Sequence, residues 1–94
     1  MLDIDISTPS SVMQDLKEKY RLKRVEMKFT QFSLSKMSGV SLGSLKRFES
    51  SGEISLISFL KISLVLECLD DFKGIAEPIK PTISSIDELF GKVK

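Results

Sequence analysis

The sequence has 94 residues, of which 41% are apolar, and a formal net charge of +1; these values fit one small globular domain. The single cysteine, Cys68, and the absence of histidine exclude a disulfide framework and the usual zinc sites. The acidic N-terminus lacks the pattern of a secretory signal, and the apolar run 54–66 is too short to span a bilayer. We therefore expect a cytoplasmic protein with no membrane contact and no cofactor.

Residues 1–10 are predicted to form an N-terminal arm. Leu2, Ile4 and Ile6 alternate with polar residues, and this period of two indicates a short strand-like segment over residues 1–8. A frayed end with an accidental pattern is an equal alternative. A lone strand needs a pairing partner, which a second copy of the chain could provide.

Residues 11–76 are predicted to form an all-α domain. Apolar spacing and capping residues place its five helices at 11–28, 31–37, 42–50, 56–67 and 70–76. Apolar residues project nearly all round the fourth helix, so we expect it to be the buried centre. The expected buried side chains are Leu16, Phe29, Leu34, Val40, Leu45, Phe48, Phe59, Leu60 and Leu64.

Residues 77–94 are predicted to form a C-terminal tail, because Pro78 and Pro81 interrupt the helical pattern. Ser85 and Glu88 have the spacing of a capping box and indicate a last turn or two of helix. The tail's apolar residues either fold back on the domain or bind a partner; they are Ile83, Ile86, Leu89 and Phe90.

Residues 31–50 are predicted to form two short helices joined by a sharp turn. Thr30 and Ser41 can cap the two helices, and Gly39 can adopt the left-handed conformation that ends the first. Leu45 and Phe48 point to one side of the second helix, and more polar positions point to the other. This is the layout of a helix-turn-helix, in which the second helix can enter the DNA major groove.

The same stretch resembles the helix-turn-helix of phage-repressor-like (XRE/Cro-type) regulators. The matching residues are Thr30-Gln31, Leu34-Ser35, Gly39-Val40, Leu45, Phe48 and Glu49. Ser35 is a departure, since alanine is usual there. The resemblance extends more loosely over residues 12–76. The resemblance implies a five-helix lambda-repressor-like domain that binds a double-stranded DNA operator as a homodimer. It also implies that the protein is a sequence-specific transcriptional regulator that represses its own operon.

The resemblance and the helical layout together indicate which residues contact DNA. At the start of the second helix of the motif, and at helix N-termini, we expect base and phosphate contacts from Gln31, Ser41, Leu42, Gly43, Ser44, Lys46 and Arg47. Gly43 has no side chain and would permit close approach to the DNA. The resemblance also implies a structural ion pair between Arg24 and Glu49.

The charge distribution is compatible with DNA binding. Residues 17–47 carry nine basic and two acidic residues, a net charge of +7 within a chain of +1. Such a run can attract phosphates, although a solvated helix face is the alternative explanation for the run alone.

A narrower resemblance concerns residues 46–56 with 69–72, which look like small regulators encoded beside HipA-like kinase toxins. The chain would then be a HipB-like antitoxin with a HipA-like kinase toxin as partner. The alternative is a protein-interaction module that neutralises or scaffolds a partner with little DNA binding of its own. We expect no enzymatic activity, because the acid pairs Asp70-Asp71 and Asp87-Glu88 are ordinary helix N-terminal acids.

Overall fold

The computed structural model describes residues 6–79, and every regular element within this range is a helix. The elements are α1 (Pro9–Glu26), α2 (Gln31–Ser38), α3 (Leu42–Ser51), α4 (Leu56–Val65) and a short 3₁₀ helix (Leu69–Gly74). The prediction of an all-α fold is therefore confirmed for this part of the chain. The strand expected over residues 1–8 lies mostly outside it, and residues 6–8 have no regular structure. The helix expected within the tail lies wholly outside it.

Each α-helix begins with a hydroxyl cap. The side-chain oxygen of the capping residue accepts a hydrogen bond from the third helical N–H, which would otherwise lack an acceptor. These bonds measure 3.0 Å for Thr8, 2.9 Å for Thr30, 3.1 Å for Ser41 and 3.2 Å for Ser55. Because Thr8 is the cap and Pro9 is the first helical residue, α1 begins two residues before the predicted position.

Left-handed residues end the helices. Gly39 and Gly52 adopt φ of 78° and 85° after α2 and α3. At Gly52 a Cβ atom would lie 3.1 Å from the carbonyl oxygen of Met13, so α3 ends in close contact with α1. Glu67, with φ of 62°, follows α4, which ends at Val65, two residues before the prediction. The predicted fifth α-helix is a 3₁₀ turn that begins one residue early.

One core joins all the elements. Its buried apolar side chains are Tyr20, Leu34, Val40, Leu45, Phe48, Phe59, Ile62 and Leu66. Aromatic rings form its centre: the Tyr20 ring is tilted by 33° against that of Phe59 with centroids 4.6 Å apart, and Phe48 lies edge-on at 5.6 Å from the same ring. The core therefore fixes α3 against both α1 and α4.

The hydroxyl of Tyr20 lies inside this core and is hydrogen-bonded there. It lies 2.6 Å from the hydroxyl of Ser63, which donates in turn to the carbonyl of Phe59 at 2.7 Å. The thiol of Cys68 lies 3.5 Å from the same Tyr20 oxygen. Burial raises the pKa of Tyr20, and the neighbouring thiol raises it further.

The prediction that α4 is buried all round is wrong. Leu64 was expected in the core but has 64% of its surface exposed, and Leu56 and Ile57 are also exposed. The reason is that α4 packs against the rest of the domain through one side only, which carries its buried residues Phe59, Ile62 and Ser63. No other element of residues 6–79 covers the opposite side. Three further residues expected in the core are only half-buried: Leu16, Phe29 and Leu60.

Candidate nucleic-acid interface

A tight, internally bonded turn joins α2 to α3. The N–H of Gly39 donates to the carbonyl of Ser35 at 2.9 Å, which closes α2. The hydroxyl of Ser35 donates to the carbonyl of Val40 at 2.6 Å, and the N–H of Val40 donates to the hydroxyl of Ser38 at 3.1 Å. Val40 is buried. Ser35 thus has a hydrogen-bonding role in the turn.

The two faces of α3 differ sharply in exposure. Leu45 and Phe48 are 0% and 2% exposed and attach the helix to the core. On the other side are exposed residues with small or basic side chains: Gly43, Ser44, Lys46 and Arg47. Leu42 is half-buried at the first helical position. A helix that enters a DNA groove needs such an uncovered outer face on a fixed support.

The ion pair expected between Arg24 and Glu49 is present and joins α1 to α3. The guanidinium donates to the two carboxylate oxygens at 2.7 and 3.0 Å, with side chains only 12% and 7% exposed. Arg24 also donates to the carbonyl of Phe29 at 2.7 Å, and Gln31 donates to Glu49 at 2.9 Å. This network ties the start of α2 and the far end of α3 to α1.

The network changes the role open to Gln31. Its side-chain amide, expected to contact phosphate, donates to the carboxylate of Glu49 within the protein. A phosphate at the start of α2 would either have to replace that bond or accept from the backbone N–H of Gln31. Helix N-terminal N–H groups are suited to this second role.

The start of α3 combines two exposed hydroxyls with a glycine. Ser41 caps the helix and also donates from its hydroxyl to that of Ser44 at 2.9 Å. A Cβ atom built on Gly43 would have no heavy atom within 4 Å, so the fold leaves room for a side chain there. Packing within the described chain does not require glycine at this position.

The basic run is less available than the sequence predicts. In α1, Lys19 pairs with Asp15 and Arg21 pairs with Glu18, while Arg24 is enclosed beside Glu49. On α3, Lys46 has no acidic partner among residues 6–79, whereas Arg47 pairs with Glu53. Fewer unpaired positive charges are therefore available on α1 and α3 than the net charge of +7 over residues 17–47 suggests.

The pairing of Glu53 with Arg47 was not predicted from the sequence. Both bonds from Arg47 reach the same Glu53 oxygen, at 3.0 and 2.5 Å, on the exposed surface beside α3. The six-residue separation does not match the helical spacing of three or four, so periodicity could not find the pair. The position of a glutamate directly after a capping glycine was the available signal.

The described residues contain no group of three or more histidine, cysteine, aspartate or glutamate side chains placed to hold a metal ion. None of the helices within residues 6–79 has the length and hydrophobicity needed to cross a membrane.

Comparison of the chain with known protein families finds no family model that matches, and comparisons with curated proteins and with solved structures find no significant match. The resemblance to phage-repressor-like regulators therefore depends on the residues of the α2–turn–α3 stretch themselves.

Proposed function

We propose that the chain is a sequence-specific DNA-binding transcriptional regulator with a lambda-repressor-like domain. It binds an operator as a homodimer, represses its own operon and has no enzymatic activity. The observation that carries this proposal is the exposed outer face of α3, which is held on a rigid support by Leu45, Phe48 and the Arg24–Glu49 pair.

Recognition would follow from the chemistry of that face. Arg47 has the planar fork of donors that fits the two acceptors of guanine, and Leu42 can contact a thymine methyl group. Lys46, which has no acidic partner in the described chain, adds an attraction for phosphate or a base edge. The hydroxyls of Ser41 and Ser44, at the N-terminus of α3, suit a phosphate oxygen.

A binding experiment on the chain's own upstream DNA tests the proposal. The wild type should bind a discrete site, and log affinity should fall linearly with log salt, with a slope of about −0.9 for each phosphate neutralised. The double variant Lys46→Ala/Arg47→Ala should lose most of the affinity.

The control removes one lysine far from α3 in the sequence. Lys73 lies on the 3₁₀ helix, is exposed and pairs with Asp70. Lys73→Ala should therefore bind as the wild type does. Equal losses in the control and in the α3 variant would contradict recognition through α3.

A second candidate function is the binding of a protein partner, in particular as a HipB-like antitoxin. The exposed apolar side chains of α4 favour a protein surface, since large apolar patches mark interaction sites. The residues of the narrower resemblance do not decide the matter. Phe48 lies in the core, Glu49 in the ion-pair network and Gly52 at a helix end, roles that any domain of this shape would need.

Co-purification with the product of the neighbouring gene tests the antitoxin hypothesis. The double variant Leu89→Asp/Phe90→Asp lies in the tail, outside the described residues. It should abolish co-purification with a kinase-like product and leave operator binding largely intact. Unchanged co-purification, or loss of the dimer, would contradict a toxin contact through the tail.

A further inference from the structure

The pair formed by Arg47 and Glu53 lies on the surface of α3 proposed to face DNA. The side chains are 70% and 53% exposed, so solvent and DNA can reach both. The Nε and Nη2 atoms of Arg47 donate to one oxygen of Glu53. These are the same type of donors that a guanine base or a phosphate would need.

The backbone holds Glu53 in place beside α3. Gly52 is buried in a left-handed conformation, and its N–H donates to the carbonyl of Phe48 at 2.7 Å. The N–H of Glu53 donates to the hydroxyl of Ser51 at 3.1 Å, and that hydroxyl donates to the carbonyl of Arg47 at 2.7 Å. The turn after α3 thus returns the chain so that the carboxylate meets the Arg47 guanidinium.

There is also space for the guanidinium to leave the carboxylate. Arg47 and Glu53 border a surface hollow of about 300 Å³ that Ser44, Ser55 and Ser58 also line. The Arg47 side chain can turn without displacing a core residue, because α3 is attached to the core through its opposite face, at Leu45 and Phe48.

We propose that Glu53 tunes the affinity for DNA by acting through Arg47. This inference depends on the proposed function. On DNA of arbitrary sequence, Arg47 stays paired with Glu53 and adds little to the affinity. At an operator guanine, two correctly spaced acceptors replace the carboxylate and Arg47 contacts the base. Because the pair must break before Arg47 can contact the guanine, Glu53 lowers operator affinity, and it lowers non-specific affinity by the same amount or less.

The ionic nature of the pair gives the expected size of the effect. Breaking an exposed ion pair lowers the affinity of a contact that replaces it by a factor of about 1.4 to 5. Glu53→Gln frees Arg47, so operator affinity should rise by a factor of about 1.4 to 5, and non-specific affinity should rise by the same factor or less. The salt slope on non-specific DNA should steepen by about 0.9, because one further phosphate is neutralised.

The experiment compares four proteins on operator DNA and on a scrambled duplex over a series of salt concentrations. They are the wild type, Glu53→Gln, Arg47→Ala and the double variant. Glu77→Gln, which removes an exposed acid beyond the 3₁₀ helix, controls for net charge. Circular dichroism melts show that each variant is folded. If Glu53 acts through Arg47, Glu53→Gln raises operator affinity in the wild-type background and leaves it unchanged in the Arg47→Ala background.

Two results would overturn the inference while leaving the proposed function intact. One is an unchanged operator affinity for Glu53→Gln in the wild-type background, or a rise on the scrambled duplex that exceeds the rise on the operator. The other is the same rise in operator affinity in both backgrounds, or in the Glu77→Gln control, which would mean that the carboxylate acts on DNA directly or through net charge. Failure of the wild type to bind any duplex specifically would instead overturn the proposed function, and this inference with it.

Discussion

Arg24 and Glu49, 25 residues apart in the chain, face each other through two parallel hydrogen bonds of 2.7 and 3.0 Å. The pair lies near the end of α1 and the far end of α3, and it is almost closed to solvent. Leu45 and Phe48 fix the depth of α3 in the core, while this pair fixes the rotation of its far end. The exposed face of α3 owes its orientation to both.

Loss of Glu49 should therefore be costly. Glu49→Ala leaves the Arg24 guanidinium enclosed without its carboxylate, and the free energy of unfolding should fall by up to about 3–5 kcal/mol in chemical denaturation. Asp15→Ala breaks the exposed Lys19–Asp15 pair and serves as the control, with an expected cost of about 0–1 kcal/mol. Similar costs for the two variants would mean that the Arg24–Glu49 pair contributes no more than an ordinary surface contact.

The local features of the fold could be predicted from the sequence, because they depend on nearby residues. Thr30 and Ser41 cap their helices, and Gly39 supplies the left-handed turn, all within a few positions of the elements they define. The start of α1 was misplaced because Thr8 forms the cap and Pro9, which was assigned to the N-terminal arm, is the first helical residue.

Features that depend on distant packing could not be predicted in the same way. Leu64 is as apolar as the core residues of α4, but no described element covers its side of the helix. The Arg47–Glu53 pair depends on the direction in which the chain leaves Gly52. Arg24 and Glu49 were paired through the family resemblance, since spacing alone does not connect residues on two different helices.

The buried hydroxyl of Tyr20 should make stability fall at alkaline pH. Its pKa is raised in the folded state, while the unfolded chain titrates near its usual value of about 10. The contribution is fully present below about pH 10 and is lost as pH rises through the folded pKa, because the unfolded chain releases the proton first. Denaturation of wild type and Tyr20→Phe between pH 8 and 11 isolates this group from the lysines.

Tyr20→Phe should cost about 0.5–1.5 kcal/mol at neutral pH, since the bond to Ser63 is lost while Ser63 still donates to Phe59. Above about pH 10 the gap between the two proteins should narrow. A gap that stays constant across this range would contradict titration of Tyr20 as a source of alkaline instability.

Gly43→Ala should move stability and DNA binding in opposite directions. Alanine favours the helix by up to about 1 kcal/mol, and its Cβ meets no atom of the protein. Thermal melts should therefore show a modest stabilisation. If α3 approaches DNA closely at this point, operator affinity should fall in the same preparation. Gly74→Ala adds a methyl group in equally open space on the 3₁₀ helix and should leave binding unchanged. A Gly43→Ala variant with undiminished affinity would contradict close approach.

The dimer should depend on the exposed side of α4. Ile57 and Leu64 lie seven residues apart on this helix and are both exposed, so a second copy could cover them. Leu64→Asp should give a monomer in analytical ultracentrifugation. Leu22→Asp, at an exposed leucine of α1, is the matched control and should remain dimeric.

A truncated chain lacking residues 1–7 and 80–94 separates this surface from the other two candidates, the N-terminal arm and the tail. If α4 forms the interface, the truncated chain should dimerise as tightly as the full one. A monomeric truncation together with a dimeric Leu64→Asp variant would place the interface in the arm or the tail.

Selection of binding sites from a random duplex library, with wild type and Arg47→Ala in parallel, tests base recognition by α3 most directly. The account predicts that the wild type enriches a two-fold site with half-sites about 34–36 Å apart. Arg47→Ala should lose preference at one base pair of each half-site, a loss of roughly 1–3 kcal/mol at that position, and keep the others. Enrichment of no sequence by the wild type, or equal weakening of Arg47→Ala on every sequence, would contradict base recognition by α3 through Arg47.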